Sequence, residues 1–102
     1  MKKVGLVGGI GPESTISYYH DIVYGVQKEV GRDFFPDVSI ESIALFKWVD
    51  LCDKKEYDKL ADYTMEPIER LARSGADFAV LTANTAHLIF DKVQSRSPIP
   101  LI

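Results

Sequence analysis

The chain has 102 residues, enough for one small domain with a modest core. With 46% apolar and 26% charged residues it has an ordinary globular composition, and its net charge of −3 offers no basic footprint for nucleic acid. No apolar run approaches the roughly twenty residues of a membrane span, and the start at Met1-Lys2-Lys3 leads into too short an apolar run for a secretory leader. Cys52 is the single cysteine and cannot close an internal disulfide, which fits a reducing cytoplasm.

The chain opens on Lys3-Val4-Gly5-Leu6-Val7-Gly8, a short apolar run that reads as a buried strand. Gly9-Ile10-Gly11-Pro12-Glu13-Ser14-Thr15 follows. Its glycines admit positive φ and a close approach of backbone to ligand, while Pro12 and Glu13 suit the first turn of a helix. The helix is expected to run to Gly31 with Ile16, Tyr19, Ile22 or Val23, Val26 and Val30 as its apolar stripe. A strand, a glycine loop and a helix invite a nucleotide reading, but the spacing does not support it. Gly9-Ile10-Gly11-Pro12-Glu13-Ser14 lacks the third small residue of the dinucleotide fingerprint, the next strand lacks the acidic residue at its end, and there is no Gly-Lys-Ser/Thr.

After a connector over residues 32–37, residues 38–45 read as a second strand, with Val38 and Ile40 alternating onto one face. Lys47 then falls at the rim that also carries the glycine loop, where it could meet a ligand carboxylate. Residues 48–54 read as a short helix with Trp48, Leu51 and Cys52 on one side; among apolar neighbours Cys52 is a packing residue, not a nucleophile. Residues 56–74 form a longer helix with Leu60, Thr64, Ile68, Leu71 and Ala72 inward, ended by Gly75. Pro67 is expected to kink or split it, and Glu66 to pair with Arg70.

Residues 77–81, Asp-Phe-Ala-Val-Leu, read as a third buried strand, and 86–93 carry apolar residues at helical spacing. Asn84 and Thr85 therefore sit where a strand gives way to a helix, which is where open α/β sheets bind ligands; a plain helix cap is the simpler reading of either residue. A loop over 95–98 leads to a last strand that begins near residue 99. The order β-α-β-α-β-α-β predicts an α/β fold with a doubly wound parallel sheet, and an apolar final strand suggests the first half of a larger protein.

Gly5-Leu6-Val7-Gly8-Gly9-Ile10-Gly11-Pro12-Glu13-Ser14-Thr15, with Gly75-Ala76-Asp77-Phe78, Ala83-Asn84-Thr85-Ala86-His87 and Ile99-Pro100-Leu101-Ile102, resembles the aspartate/glutamate racemase family. The resemblance implies that residues 1–102 are one lobe of a two-lobed, pseudo-symmetric fold with a small acidic amino acid, aspartate or glutamate, between the lobes. It implies chemistry without pyridoxal phosphate or any other cofactor, and no metal. A cysteine from each lobe would face one side of the substrate Cα, because racemisation takes a proton from one face and returns one to the other. Ile10, Gly11, Asn84 and Thr85 would line the substrate with Thr15 in support, and Lys47 is a looser match for the side-chain carboxylate. Loop and helix-start amides would steady the charge that develops on the α-carboxylate.

Ala83 departs from that pattern. It occupies the position of the family's cysteine in Cys-Asn-Thr-Ala-His, and alanine cannot move a proton. His87 matches the motif but lies a turn further on, and reads as a packing or supporting residue. Three functions follow: an amino-acid racemase lobe altered at one base, a binding module for an acidic amino acid, and, more remotely, a nucleotide-binding domain. Association into a homodimer, or through the unfinished lobe face, is expected from the exposed apolar surface.

Overall fold

In the computed structural model, residues 2–33, 35–82 and 88–102 are described. The elements run β1 (Val4–Gly8), α1 (Pro12–Val30), β2 (Val38–Ser42), α2 (Leu45–Asp53), α3 (Tyr57–Arg73), β3 (Phe78–Leu81) and α4 (Phe90–Gln94). The strands form a parallel sheet in the order β2-β1-β3. Leu101 adds a parallel bridge to Ala79 on the outer side of β3, held by Ala79 N–H to Pro100 O and Ile102 N–H to Ala79 O, each 2.9 Å. The last strand expected near residue 99 is thus a single bridge at Leu101.

Helices cover both faces of the sheet. Toward α3, β1 presents Gly5 and Val7; a Cβ on Gly5 would meet the Leu71 methyls at 3.1 Å, so the bare glycine lets the helix settle onto the strand. Leu60, Ile68, Leu71 and Trp48 are fully buried here, with Ile89 and Val93 closing the far end. Cys52 is half-buried and packs against this cluster, as its apolar setting predicts. Toward α1 the sheet presents Gly8 and Ile40, and a Cβ on Gly8 would lie 2.6 Å from Thr15 Cγ2.

Four expectations change. The second strand stops at Ser42, and Leu45 begins a helix. Ile43 N–H makes the last bond to Gly8 O (2.9 Å), and the chain turns so that Trp48 can bury its ring and donate Nε1–H to Thr64 Oγ1 (3.2 Å). The α1 stripe is rotated from the one expected: Thr15 and Val23 are buried, whereas Ile16 is 65% and Val30 55% exposed. Thr15 fills the space that Gly8 leaves open, and this contact sets the helix face. Pro67 does not split α3, which continues through it with Pro67 buried. Arg70 donates Nε–H to Glu41 on β2 (3.0 Å) rather than pairing with Glu66.

Candidate functional site

The glycine loop lies at the C-terminal rim of the sheet. Gly9 (φ 86°) and Gly11 (φ 85°) both take the left-handed conformation that glycine adopts without strain. At Gly9 the requirement is doubled, because a Cβ would collide with the Ile43 carbonyl and come within 2.6 Å of Ser42 Oγ. The loop is therefore pressed against the end of β2, and Gly11 delivers it into α1 as the residue before Pro12.

Thr15 organises the loop from inside. Its Oγ1 accepts the Gly9 N–H at 3.0 Å, lies 3.4 Å from Gly11 O, and is 3.3 Å from Thr82 Oγ1. Thr82 donates its hydroxyl to Val7 O at 2.8 Å, and its backbone N–H reaches the same carbonyl at 3.2 Å. Both threonines are buried. The Gly9 amide is thereby committed within the protein. By contrast, the N–H groups of Ile10, Gly11, Glu13 and Ser14 have no hydrogen-bond partner among the described residues. Four such donors at the start of a helix give local positive potential suited to a carboxylate. Ile10 itself packs into the core, so it offers its amide and not its side chain.

Beside the loop, a cavity of about 280 Å³ is lined by Gly9, Pro12, Thr15, Ile16, Tyr19, Ile40 and Ser42. Among the described residues no cationic side chain lines it. Lys47 does not line it: it is exposed on α2, with Nζ 4.4 Å from the centroid of the Tyr63 ring, in a depression with Leu51, Lys59, Asp62, Tyr63 and Glu66. A cation over an aromatic face contributes about 0.5–1 kcal/mol at exposed sites, which gives this lysine a structural partner. Tyr63 also accepts the Ala44 N–H at 3.1 Å, tying the β2–α2 turn to α3.

Of the residues singled out in the sequence, Ile10, Gly11 and Thr15 are brought together at the rim. Ala83, Asn84, Thr85 and His87 lie outside the described residues. The chain enters that segment from Thr82, which is bonded to both β1 and Thr15. Thr82 and Ser42 were not singled out. Thr82 is one polar residue at the end of an apolar run, and that mismatch was the available signal.

Residues 7–102 match the family described as Asp/Glu/hydantoin racemase. Among characterised relatives, the broad specificity amino-acid racemase RacX of Bacillus subtilis is 24% identical over 102 residues, covering 97% of this chain and 44% of the relative. Among solved structures, an aspartate racemase homologue from Pyrococcus horikoshii OT3 superposes with a TM-score of 0.90 at 30% identity, covering 100% of this chain and 44% of that one. A candidate Asp/Glu racemase from Yersinia pestis gives a TM-score of 0.94 at 29% identity, covering 99% and 44%. The chain spans less than half the length of each of these relatives.

Proposed function

The chain belongs to the Asp/Glu/hydantoin racemase family, and on that premise we propose that it is one lobe of an amino-acid racemase that moves the Cα proton of aspartate or glutamate without a cofactor. The observation that carries this reading is the contact between the glycine-loop motif and Thr82, the residue directly before the second motif. The glycine loop, whose amides at Ile10, Gly11, Glu13 and Ser14 have no partner among the described residues, is joined through Thr15 to Thr82, directly before Ala83. In this reading the loop amides hold the substrate α-carboxylate, where charge accumulates as the Cα proton leaves. A well-aimed donor of this kind is worth about 10²–10³ in rate. Asn84 and Thr85 complete the cradle, Thr15 supports it, and Lys47, in the first turn of α2 after the end of β2, is left for the side-chain carboxylate of the substrate.

Proton transfer needs a group on each face of Cα. Residue 83 takes the position of one of them, and as alanine it leaves that face without a base. The test is deuterium wash-in at Cα in D₂O, followed separately for L and D forms, in this chain expressed with a second lobe. Ala83→Cys should raise exchange from one enantiomer more than from the other, because each base addresses one face. Equal gains, or none, would remove residue 83 from the mechanism.

Ala83 also favours a second reading, a lobe that binds an acidic amino acid and does no chemistry. That reading keeps the loop amides and predicts binding with no exchange even in the Ala83→Cys protein. We further propose a cytoplasmic setting and a second copy of the chain as partner. The partner would meet the apolar groove of about 890 Å³ between α1 and β3, whose walls include Val4, Ile22, Val26, Phe78, Val80 and Ile102. Sedimentation that gives a monomer at micromolar concentration would count against that association. No helix among the described residues is long and apolar enough to cross a membrane.

A further inference from the structure

The bond directions between Thr15 and Thr82 can be worked out from their partners. Val7 O can only accept, so at 2.8 Å Thr82 must donate its one hydroxyl proton there. Toward Thr15, Thr82 is therefore an acceptor, and the proton between the two hydroxyls is the one on Thr15. Thr15 in turn accepts from Gly9 N–H. The result is a directed chain from Gly9 N–H to the Thr15 hydroxyl, to the Thr82 hydroxyl, to the Val7 carbonyl, with Gly11 O (3.4 Å) as a second acceptor for the Thr15 proton. It joins the loop after β1 to the end of β3, 67 residues away in sequence.

We propose that this buried hydroxyl pair is a positioning device that holds the glycine-loop amides in register with the strand end leading into residue 83. Its functional half rests on the racemase reading, since that reading places the substrate between these two segments. The structural argument is independent of it. Carboxylate-binding amides and a proton-transfer position must be fixed to within about 0.5 Å of their working geometry, and here the amides follow β1 in the chain whereas residue 83 follows β3. Parallel strands fix the sheet below them but not the loops above it. A polarised hydrogen-bond chain with buried members supplies the missing link, and breaking any member leaves the others short of a partner.

Thr15 has two separable parts. Its methyl, Cγ2, packs into the space above Gly8, and its hydroxyl joins Gly9 to Thr82. Thr15→Val keeps the methyl contact and removes the hydroxyl; Thr15→Ser does the reverse. The experiment is amide-resolved NMR of the labelled chain. In Thr15→Val, exchange of the Gly9 amide should rise about tenfold, the worth of one buried hydrogen bond. The Ala83 and Asn84 amide resonances should move as they do in Thr82→Val. Thr15→Ser should keep wild-type shifts at Ala83 and Asn84 even if it melts earlier.

Unmoved Ala83 and Asn84 resonances in Thr15→Val would overturn the proposal. So would shifts in Thr15→Ser as large as those in Thr15→Val, since packing would then be the cause. Should Thr15→Val not fold, the wild-type chain decides: a slowly exchanging Thr15 hydroxyl proton with a cross-relaxation contact to Thr82 is expected, and its absence overturns the pair. Titration with L-aspartate and L-glutamate tests the functional half. Ile10 and Gly11 amides should respond in wild type and Thr15→Ser, with apparent affinity about tenfold weaker in Thr15→Val. If neither amino acid perturbs the wild-type amides, the acidic-substrate reading fails while the exchange data still judge the hydroxyl pair.

Discussion

The two faces of the sheet are held by different forces. Toward α3 the sheet meets a continuous apolar layer in which Leu60, Ile68 and Leu71 are completely buried and α2 and α4 pack against the same helix. Toward α1 a helix of 19 residues buries only Thr15 and Val23, leaves Ile16 65% exposed, and stands off β3 to leave an apolar groove. The α3 face is fastened by burial, which is strong but without direction. The α1 face is fastened at its N-terminal end by hydrogen bonds around Thr15 and by glycine contacts, which are weaker but fix geometry. The candidate site sits at the end where direction matters.

The largest expected effect separates the faces directly. Leu71→Ala would open a cavity beside Gly5, where the Leu71 methyls leave no room for a Cβ, and should cost about 2–5 kcal/mol. That is a large share of the roughly 5–15 kcal/mol typical of a domain. Ile16→Ala, on the α1 face, should fall within about 0.5 kcal/mol of the wild type. Urea unfolding of the two variants measures both; similar losses would show that α1 is packed as firmly as α3 and would dissolve the distinction.

A smaller effect is expected where the faces meet. Gly9→Ala imposes a side chain on a left-handed residue, at about 1–3 kcal/mol of strain, and drives its Cβ at the Ile43 carbonyl. Gly11→Ala carries the same kind of backbone strain, but among the described residues nothing lies closer to its Cβ than Ser14 Oγ at 3.6 Å. Gly9→Ala should therefore be the worse of the two in thermal melts. An equal loss at both positions would mean that backbone conformation, and not contact with β2, dictates glycine in this loop.

Much of this arrangement is legible in the sequence because it depends on local pattern. The order of elements, the glycine loop, the end of α1 at Gly31 and the packing role of Cys52 follow from periodicity and from which residues tolerate positive φ. What escapes is decided by contacts between distant residues. Residues 43–45 continue an apolar run and read as strand, yet Trp48 reaching Thr64 turns them toward a helix. That change of element puts Lys47 in the first turn of a helix, with its ammonium over the face of Tyr63. The inward face of α1 is set by Thr15 against Gly8, and hydropathy discounts both residues. Thr82 is marked in the sequence only as a polar residue ending an apolar run; its role becomes legible once Thr15 is seen to need a partner.

The smallest expected effect concerns the surface of the α3 face, where charge adds to burial. Lys92 on α4 donates to Asp58 on α3 at 2.6 Å, and Arg96 donates to Asp62 at 2.7 Å. The hydrogen bond from Lys92, and after it the attraction of its charge, hold the Asp58 carboxyl below the usual carboxylate range. A carboxyl with a lowered folded pKa binds fewer protons folded than unfolded, so stability rises with pH across that interval. The contribution is complete above the unfolded value of about 3.9 and is lost as pH falls through the lowered folded value. Asp58 is exposed, so solvent and salt screen the pair and the effect is small. Asp58→Asn should lower the urea midpoint slightly at pH 6, with the difference closing in acid and narrowing in about 1 M salt, where screening acts within about 3 Å. A difference that persists unchanged in acid would mean that Asp58 acts through packing or helix start rather than through its charge, and the α3 face would then rest on burial alone.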